Sequence, residues 1–220
     1  MCNLYSHTMP VEAMRKLFAS FDDGGMNLPP QTGIFPDYEA PIVRNGDGVP
    51  RLAKARWGMP SPAFALEGRK TDPGVTNVRN TKSPHWRRWL GVEHRCLVPF
   101  TSFSEFNKAA GGDIWFAFDE SRPTAFFAGI WTPQWKSVRK LKEGEVEADL
   151  YAFLTTEPNA EVKAIHPKAM PVILTTAEQC ATWMTADWPV ASYLQRPLPD
   201  DSLKIVARGR KKDGPDDLSL

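Results

Sequence analysis

Cysteine is scarce, with three residues, Cys2, Cys96 and Cys180, in a chain of 220. The count is odd and no CxxC pair occurs, which argues against a disulfide framework and a cysteine-ligated zinc site. Such usage fits a reducing compartment. The four histidines, His7, His85, His94 and His166, show no metal-ligand spacing. P-loop, GxGxxG, HExxH and GxSxG patterns are missing, so neither a metal nor a nucleotide cofactor is expected. No apolar run approaches the roughly 20 residues of a membrane helix. The start, MCNLYSHTMP, lacks the basic and then apolar pattern of a secretory signal. A soluble cytoplasmic protein without a membrane partner is expected.

What is present is an ordinary globular balance, with 42% apolar and 24% charged residues, which excludes wholesale disorder. Twenty prolines predict many turns and short elements. The net charge of +1 hides an asymmetry: residues 44–95 carry eleven basic and four acidic side chains, whereas the flanking segments are each net negative. A basic segment in a near-neutral chain points to a local anionic partner or to a solvated charged face.

Apolar positions at 11, 14, 17, 18 and 21 predict an amphipathic helix over 11–21. Strands are expected around 40–44 and 50–57, then at 95–100, 113–118, 124–131, 149–155 and 169–174. Residues 58–84 hold four prolines and three glycines and read as irregular, a length that in a compact domain is usually functional. A short helix fits 84–91, an exposed loop or hairpin 136–149, and a second short helix begins near Thr156 and ends near Ile165. Thr175 and Glu178 form a capping box for a helix to about residue 186. These elements predict a single α+β domain with a mostly antiparallel, barrel-like β core flanked by short helices.

Several residues could carry chemistry. Once the initiator Met is removed, Cys2 offers an α-amine with pKa near about 8 beside a thiol near about 8.5. Such a 1,2-aminothiol condenses with an aldehyde and closes a thiazolidine ring, helped by the high effective molarity of tethered groups. A small residue at position 2 is also ordinary. His166 is either a general acid or base or a hydrogen-bonded structural residue. Glu105, among Phe100, Phe103 and Phe106, is either a desolvated carboxyl with raised pKa or an edge-strand residue facing water. Asn77 can donate to a carbonyl, and Arg79 can fork a phosphate. The run PHWRRWLGVEHR, with Arg87, supplies either stacking and phosphate contacts for single-stranded nucleic acid or a core pair, Trp86 and Trp89.

Taken in order, the start MC, RWG (56–58), TNVR (76–79), RCLVPFTSFSEF (95–106) and IHPKAMPVIL (165–174) resemble the SOS response-associated peptidase (SRAP) family of abasic-site processing proteins. The likeness runs from residue 1 to about 210. It implies one domain over 1–212 and a polar tail over 213–220. It also implies a damage-response protein that senses abasic sites in single-stranded DNA, removes its own Met1 by peptidase-like activity and crosslinks the lesion through Cys2. By motif position, Cys2 would be the nucleophile, Asn77 would position the amine or sugar, Glu105 and His166 would shuttle protons, and Arg79 would hold a phosphate. Lys168 stands where the family often carries Arg, and Phe64 is the one stacking wedge where the family has a Trp-rich loop. Leu4 replaces the basic residue of the family's MCGR start, and Asn80-Thr81 lacks its acid. DNA contacts are therefore expected from Arg79, Phe64, Lys168 and Arg87, in a monomer that joins the nucleoid when acting on DNA. Two other readings fit the same residues: a thiol or N-terminal-nucleophile peptidase acting in trans, and a non-catalytic single-stranded DNA binding module.

Overall fold

The computed structural model describes residues 2–16, 18 and 20–214. Its strands are β1 (Leu4–His7), β2 (Gln31–Ile34), β3 (Glu39–Asn45), β4 (Pro50–Trp57), β5 (Asn77–Val78), β6 (Arg95–Phe100), β7 (Ser102–Asn107), β8 (Gly112–Ala117), β9 (Ala125–Val138), β10 (Glu145–Thr156), β11 (Met170–Pro171), β12 (Ile173–Leu174) and β13 (Lys204–Arg208). The helices are short: α1 (Val11–Arg15), α2 (Ala63–Leu66), α3 (Ala160–Lys163), α4 (Ala177–Thr185) and α5 (Trp188–Ala191).

Five strands close on themselves in the order β10-β4-β3-β6-β9, with β9 returning to β10. This is a closed barrel whose pairings are antiparallel except for the parallel seam between β4 and β10. A second sheet, β13-β8-β7-β1-β2, packs beside it. The chain is thus α+β with a barrel core, as its strand pattern predicts. Barrel strands alternate between two buried clusters. One joins Phe127, Phe153 and Trp57 to Tyr5 and Phe103 of the second sheet. The other joins Leu97, Ala128 and Leu154 to Trp89, Met14 and Trp183 of the helical elements. No helix among the described residues is long and apolar enough to cross a membrane.

Local differences from the sequence expectations have physical causes. α1 stops at Arg15 rather than near 21. Beyond it, Phe18 stacks on Phe21 and meets Phe126 edge-on, while Asp22 exchanges backbone bonds with Pro50 and Leu52. Sheet-like pairing replaces the helix there. α3 starts from Asn159, whose side chain accepts from Val162 N–H, not from Thr156, which ends β10. The cap of α4 is Thr176, whose hydroxyl accepts from Gln179 N–H, while the Gln179 carbonyl reaches back to Thr175. The capping box is therefore shifted by one residue. The expected strand over 169–174 is split at Val172, which bonds to Leu154 and Ala128. The hairpin expected over 136–149 turns over 139–144, its sides being the ends of β9 and β10.

The irregular stretch after β4 is held by Asp72. Its carboxylate accepts from Ser61 Oγ at 2.6 Å and from Gly74 N–H at 2.8 Å, and buried Arg139 pairs with it at 4.0 Å. Gly74, at φ +77°, leaves no room for a Cβ beneath the Arg139 guanidinium. This clamp delivers the chain to β5, which lies parallel to β10 with Asn77 opposite Phe153.

At the far end, Asp213 is buried and accepts from Ser102 Oγ at 2.5 Å and from Arg122 Nε at 2.8 Å. The first residue of the expected tail is thus anchored to β7. Residues 215–220 of that tail lie outside the described residues.

Gly129 in β9 tests the packing at the centre of the barrel wall. A Cβ there would meet Cys96 Sγ at 2.7 Å and Val98 Cγ2 at 2.9 Å. Gly129→Ala should destabilise the fold by roughly 1–3 kcal/mol through overpacking. Urea unfolding of both proteins checks it.

Candidate functional site

β1 is an interior strand, paired with β2 on one side and β7 on the other. Its register, Leu4 opposite Ser104, carries Cys2 toward the Glu105–Phe106 end of β7. Tyr5 locks the strand to the barrel: its hydroxyl meets the Tyr151 hydroxyl at 2.5 Å, and its ring packs edge-on against Trp57, Phe127 and Phe153. Cys2 is buried, and its Sγ donates weakly to Leu4 O at 3.4 Å. Burial, and next the charge of Glu105, push its thiol well above the ordinary range. The thiol is therefore neutral at physiological pH.

Asn77 reaches Cys2 from β5. Its Nδ2 donates to Cys2 O at 2.8 Å and to Thr76 Oγ1 at 2.8 Å, with Asn3 Oδ1 at 3.4 Å. Thr76 Oγ1 donates to Asn3 Oδ1 at 3.2 Å, and Trp57 Nε1 holds Thr76 O at 3.1 Å. The Asn77 Oδ1 is buried and has no hydrogen-bond partner among the described residues.

Glu105 is 2% exposed on β7, so the water-facing alternative does not hold. Burial pushes its pKa up to about 7. His166 follows α3, and its Nδ1 lies 3.8 Å from Glu105 Oε2 and 3.1 Å from Ala169 O. A carbonyl only accepts, so Nδ1 carries the proton and Nε2 is the basic nitrogen of the neutral ring. Burial lowers the His166 pKa. Burial thus favours the neutral form of each group.

Arg79 ties these segments together. Its Nη1 donates to Thr156 O at 2.9 Å and to Lys168 O at 2.8 Å, and its Nη2 lies 3.6 Å from Glu157. Lys168 is exposed beside it. Phe64 stands on α2, 77% exposed, and no hydrogen bond, ion pair or ring contact joins it to this cluster among the described residues. Arg87 is exposed and lines a separate surface cavity. Trp86 and Trp89 are buried core residues, as the structural alternative for that run has it. Among the described residues no group of three or more His, Cys, Asp or Glu side chains is arranged to hold a metal. Met1, whose removal is expected, lies outside the described residues.

Sequence reasoning missed Asn3, Thr76 and the Tyr5–Tyr151 pair. Thr76 precedes Asn77 directly, a usable signal. The tyrosines are 146 residues apart and carry none.

The arrangement holds a buried thiol beside one carboxyl, one imidazole and one amide. The profile of the SOS response associated peptidase (SRAP) family matches residues 1–208. No match is found among curated proteins. Solved structures share the fold. A protein from Bordetella bronchiseptica aligns with TM-score 0.64 at 22% identity, covering 92% of this chain and 97% of its own. A protein from Bacteroides thetaiotaomicron aligns with TM-score 0.65 at 20% identity, covering 92% and 90%. A phage-related protein from Bordetella bronchiseptica aligns with TM-score 0.64 at 20% identity, covering 92% of both chains.

Burial of Glu105 has a thermodynamic signature. Its folded pKa of about 7 exceeds the usual 4.5, so the unfolded chain releases its proton first. Stability from this group is full below about pH 4.5 and falls as pH rises through about 7, by on the order of 3 kcal/mol. His7, lowered from 6.5 to about 4 by burial, has the opposite slope, so the wild type alone mixes the two. Glu105→Gln should gain on the wild type by that amount between pH 4.5 and 7.5 in urea titrations.

Proposed function

The chain belongs to the SOS response associated peptidase family, and from that premise we propose that it captures abasic sites in single-stranded DNA as a covalent adduct of Cys2. The observation that carries this reading is the contact of Asn77 with the Cys2 carbonyl, beside a buried carboxyl whose pKa is pushed up to about 7.

Removal of Met1 frees the Cys2 amine. The amine attacks the aldehyde carbon of the ring-opened sugar, and its C–N bond forms as a proton passes to the oxygen. Glu105 in its acid form protonates the leaving hydroxyl, water departs and C=N remains. Cys2 Sγ then adds to the same carbon. The thiol proton passes to the imine nitrogen, with Glu105 or His166 Nε2 as relay, and a thiazolidine closes. The net loss is one water. The orphaned Asn77 Oδ1 suits a donor from the Cys2 amine or a sugar hydroxyl, which would recover the cost of a buried unpaired acceptor. Arg79 and Lys168 supply positive charge for the flanking phosphates.

The neutral thiol weighs against a thiol peptidase acting in trans, because that chemistry runs through an activated thiolate. The capture reading needs no thiolate in the resting protein. A binding module without chemistry gives no reason to bury a carboxyl between Phe-rich strands.

Incubation with a single-stranded oligonucleotide carrying one abasic site should give a one-to-one adduct, one water lighter than its parts, by intact mass spectrometry. Cys2→Ala should abolish it with the fold intact. A heat-stable adduct from Cys2→Ala sinks the reading. Glu105→Gln should slow adduct formation by about a hundredfold, the loss of one acid–base group. It should also remove the decline in rate that the wild type shows as pH rises through about 7.

A further inference from the structure

Away from Cys2, a surface cavity opens between the short 3-10 helix Arg87–Trp89 and the turn that follows α5. Its wall carries Lys82, Arg87, Trp188 and Tyr193. Tyr193 is 81% exposed, the most exposed of the large apolar and aromatic side chains. Trp188, on the same wall, is half-buried and packs edge-on against Trp183. Lys82 and Arg87 are exposed, and among the described residues neither lies within ion-pair distance of a carboxylate. Six other arginines, Arg15, Arg51, Arg56, Arg79, Arg122 and Arg139, each meet one. An exposed ring, an apolar floor and two uncompensated cations in one concavity are what a nucleotide needs, a face to stack on and charge for its phosphate.

The cavity is separate from the candidate site, and Gln195 on its wall ties it to Arg79. Gln195 Nε2 donates to Arg79 O at 2.8 Å and to Thr155 O at 3.0 Å, and its Oε1 accepts from Thr81 Oγ1 at 3.0 Å. Arg79, in turn, holds the Lys168 carbonyl. Asn77 and Thr81 stand four positions apart, at most about 14 Å of extended chain. The cavity thus lies within reach of a strand whose lesion sits at Cys2 and whose phosphate passes Arg79.

We infer that the Tyr193–Trp188 cavity is a second nucleotide subsite, which stacks an intact base of the single strand downstream of Arg79 while Lys82 and Arg87 neutralise its phosphates. The inference rests on the capture reading above. It assigns Tyr193 a stacking role and Lys82 a phosphate contact. It also gives Arg87 a different place from Arg79: a phosphate outside the lesion itself. Base stacking of this kind is indifferent to sequence, so the subsite adds affinity for any strand long enough to reach it.

The test uses the full chain and a fluorescein-labelled 15-nucleotide oligothymidylate without a lesion, read by anisotropy across a salt series. Tyr193→Ala should weaken binding about tenfold, and Tyr193→Phe, which keeps the ring, should bind as the wild type does. Lys82→Ala with Arg87→Ala should lower the salt slope by about 1.4, the share of two single-strand phosphates. The melting temperature of Tyr193→Ala should stay that of the wild type, since the side chain stands in water. Unchanged affinity in Tyr193→Ala, or competition by polyglutamate as effective as by oligothymidylate, overturns the inference; the second result would make the cavity a seat for acidic peptides. Failures of the two readings separate on the wild type. An adduct at Cys2 with no effect of Tyr193→Ala removes the subsite alone, whereas neither adduct nor strand binding removes both.

Discussion

The site depends on the pairing of the N-terminal strand into the middle of a sheet. Chain termini usually fray, because few contacts repay the entropy of ordering them. Here β1 is held on both edges, and all four of its residues are buried. Tyr5 supplies much of the cause. Its ring contacts Trp57, Phe127 and Phe153 of the barrel, and its hydroxyl is satisfied by Tyr151, so a polar tip is buried without loss. Three residues upstream of such an anchor, Cys2 has one location, and Asn77 meets it there.

The second constraint is electrostatic. β7 buries Ser102, Ser104 and Glu105 together with Phe103. The serines find partners in Ser6, Asp213 and Asp113. Glu105 lies 3.8 Å from an imidazole whose own pKa burial depresses. Both groups favour their neutral forms in a poorly solvated space. An ion pair would hold each in one protonation state; a carboxyl whose pKa is pushed up to about 7 can give or take a proton near neutrality. That is what a sequence of dehydration and thiol addition asks of its acid and base.

Much of the fold is legible in the order of residues, for reasons particular to each segment. RCLVPF, TAFFAGIW and DLYAFLT are apolar and β-branched or aromatic, and they become the barrel strands β6, β9 and β10. LYSH and SFSEFN mix polar with apolar groups without a sustained strand pattern, because their polar side chains are buried through partners distant in sequence, such as Ser102 with Asp213. α1 ends early because Phe18 and Phe21 pack on Phe126 as a turn rather than as one helical face. α4 caps on Thr176 rather than Thr175, two adjacent threonines that only the backbone geometry separates. Of the candidate site, Cys2, Asn77, Glu105 and His166 are readable as a set through the family resemblance. The burial of Cys2 and Asn77, the neutral thiol and the support from Thr76 and Asn3 are consequences of packing and are not; for Glu105 the sequence leaves burial as one of two alternatives.

The central claim is that one carbon of the abasic sugar becomes bonded to both the nitrogen and the sulfur of Cys2. The most direct measurement is carbon-13 NMR of the adduct formed with an abasic oligonucleotide labelled at the aldehyde carbon, with the protein labelled with nitrogen-15. The account predicts a saturated carbon coupled to the Cys2 nitrogen, with no imine signal at equilibrium. A persistent imine carbon, or coupling to a lysine nitrogen, would contradict it.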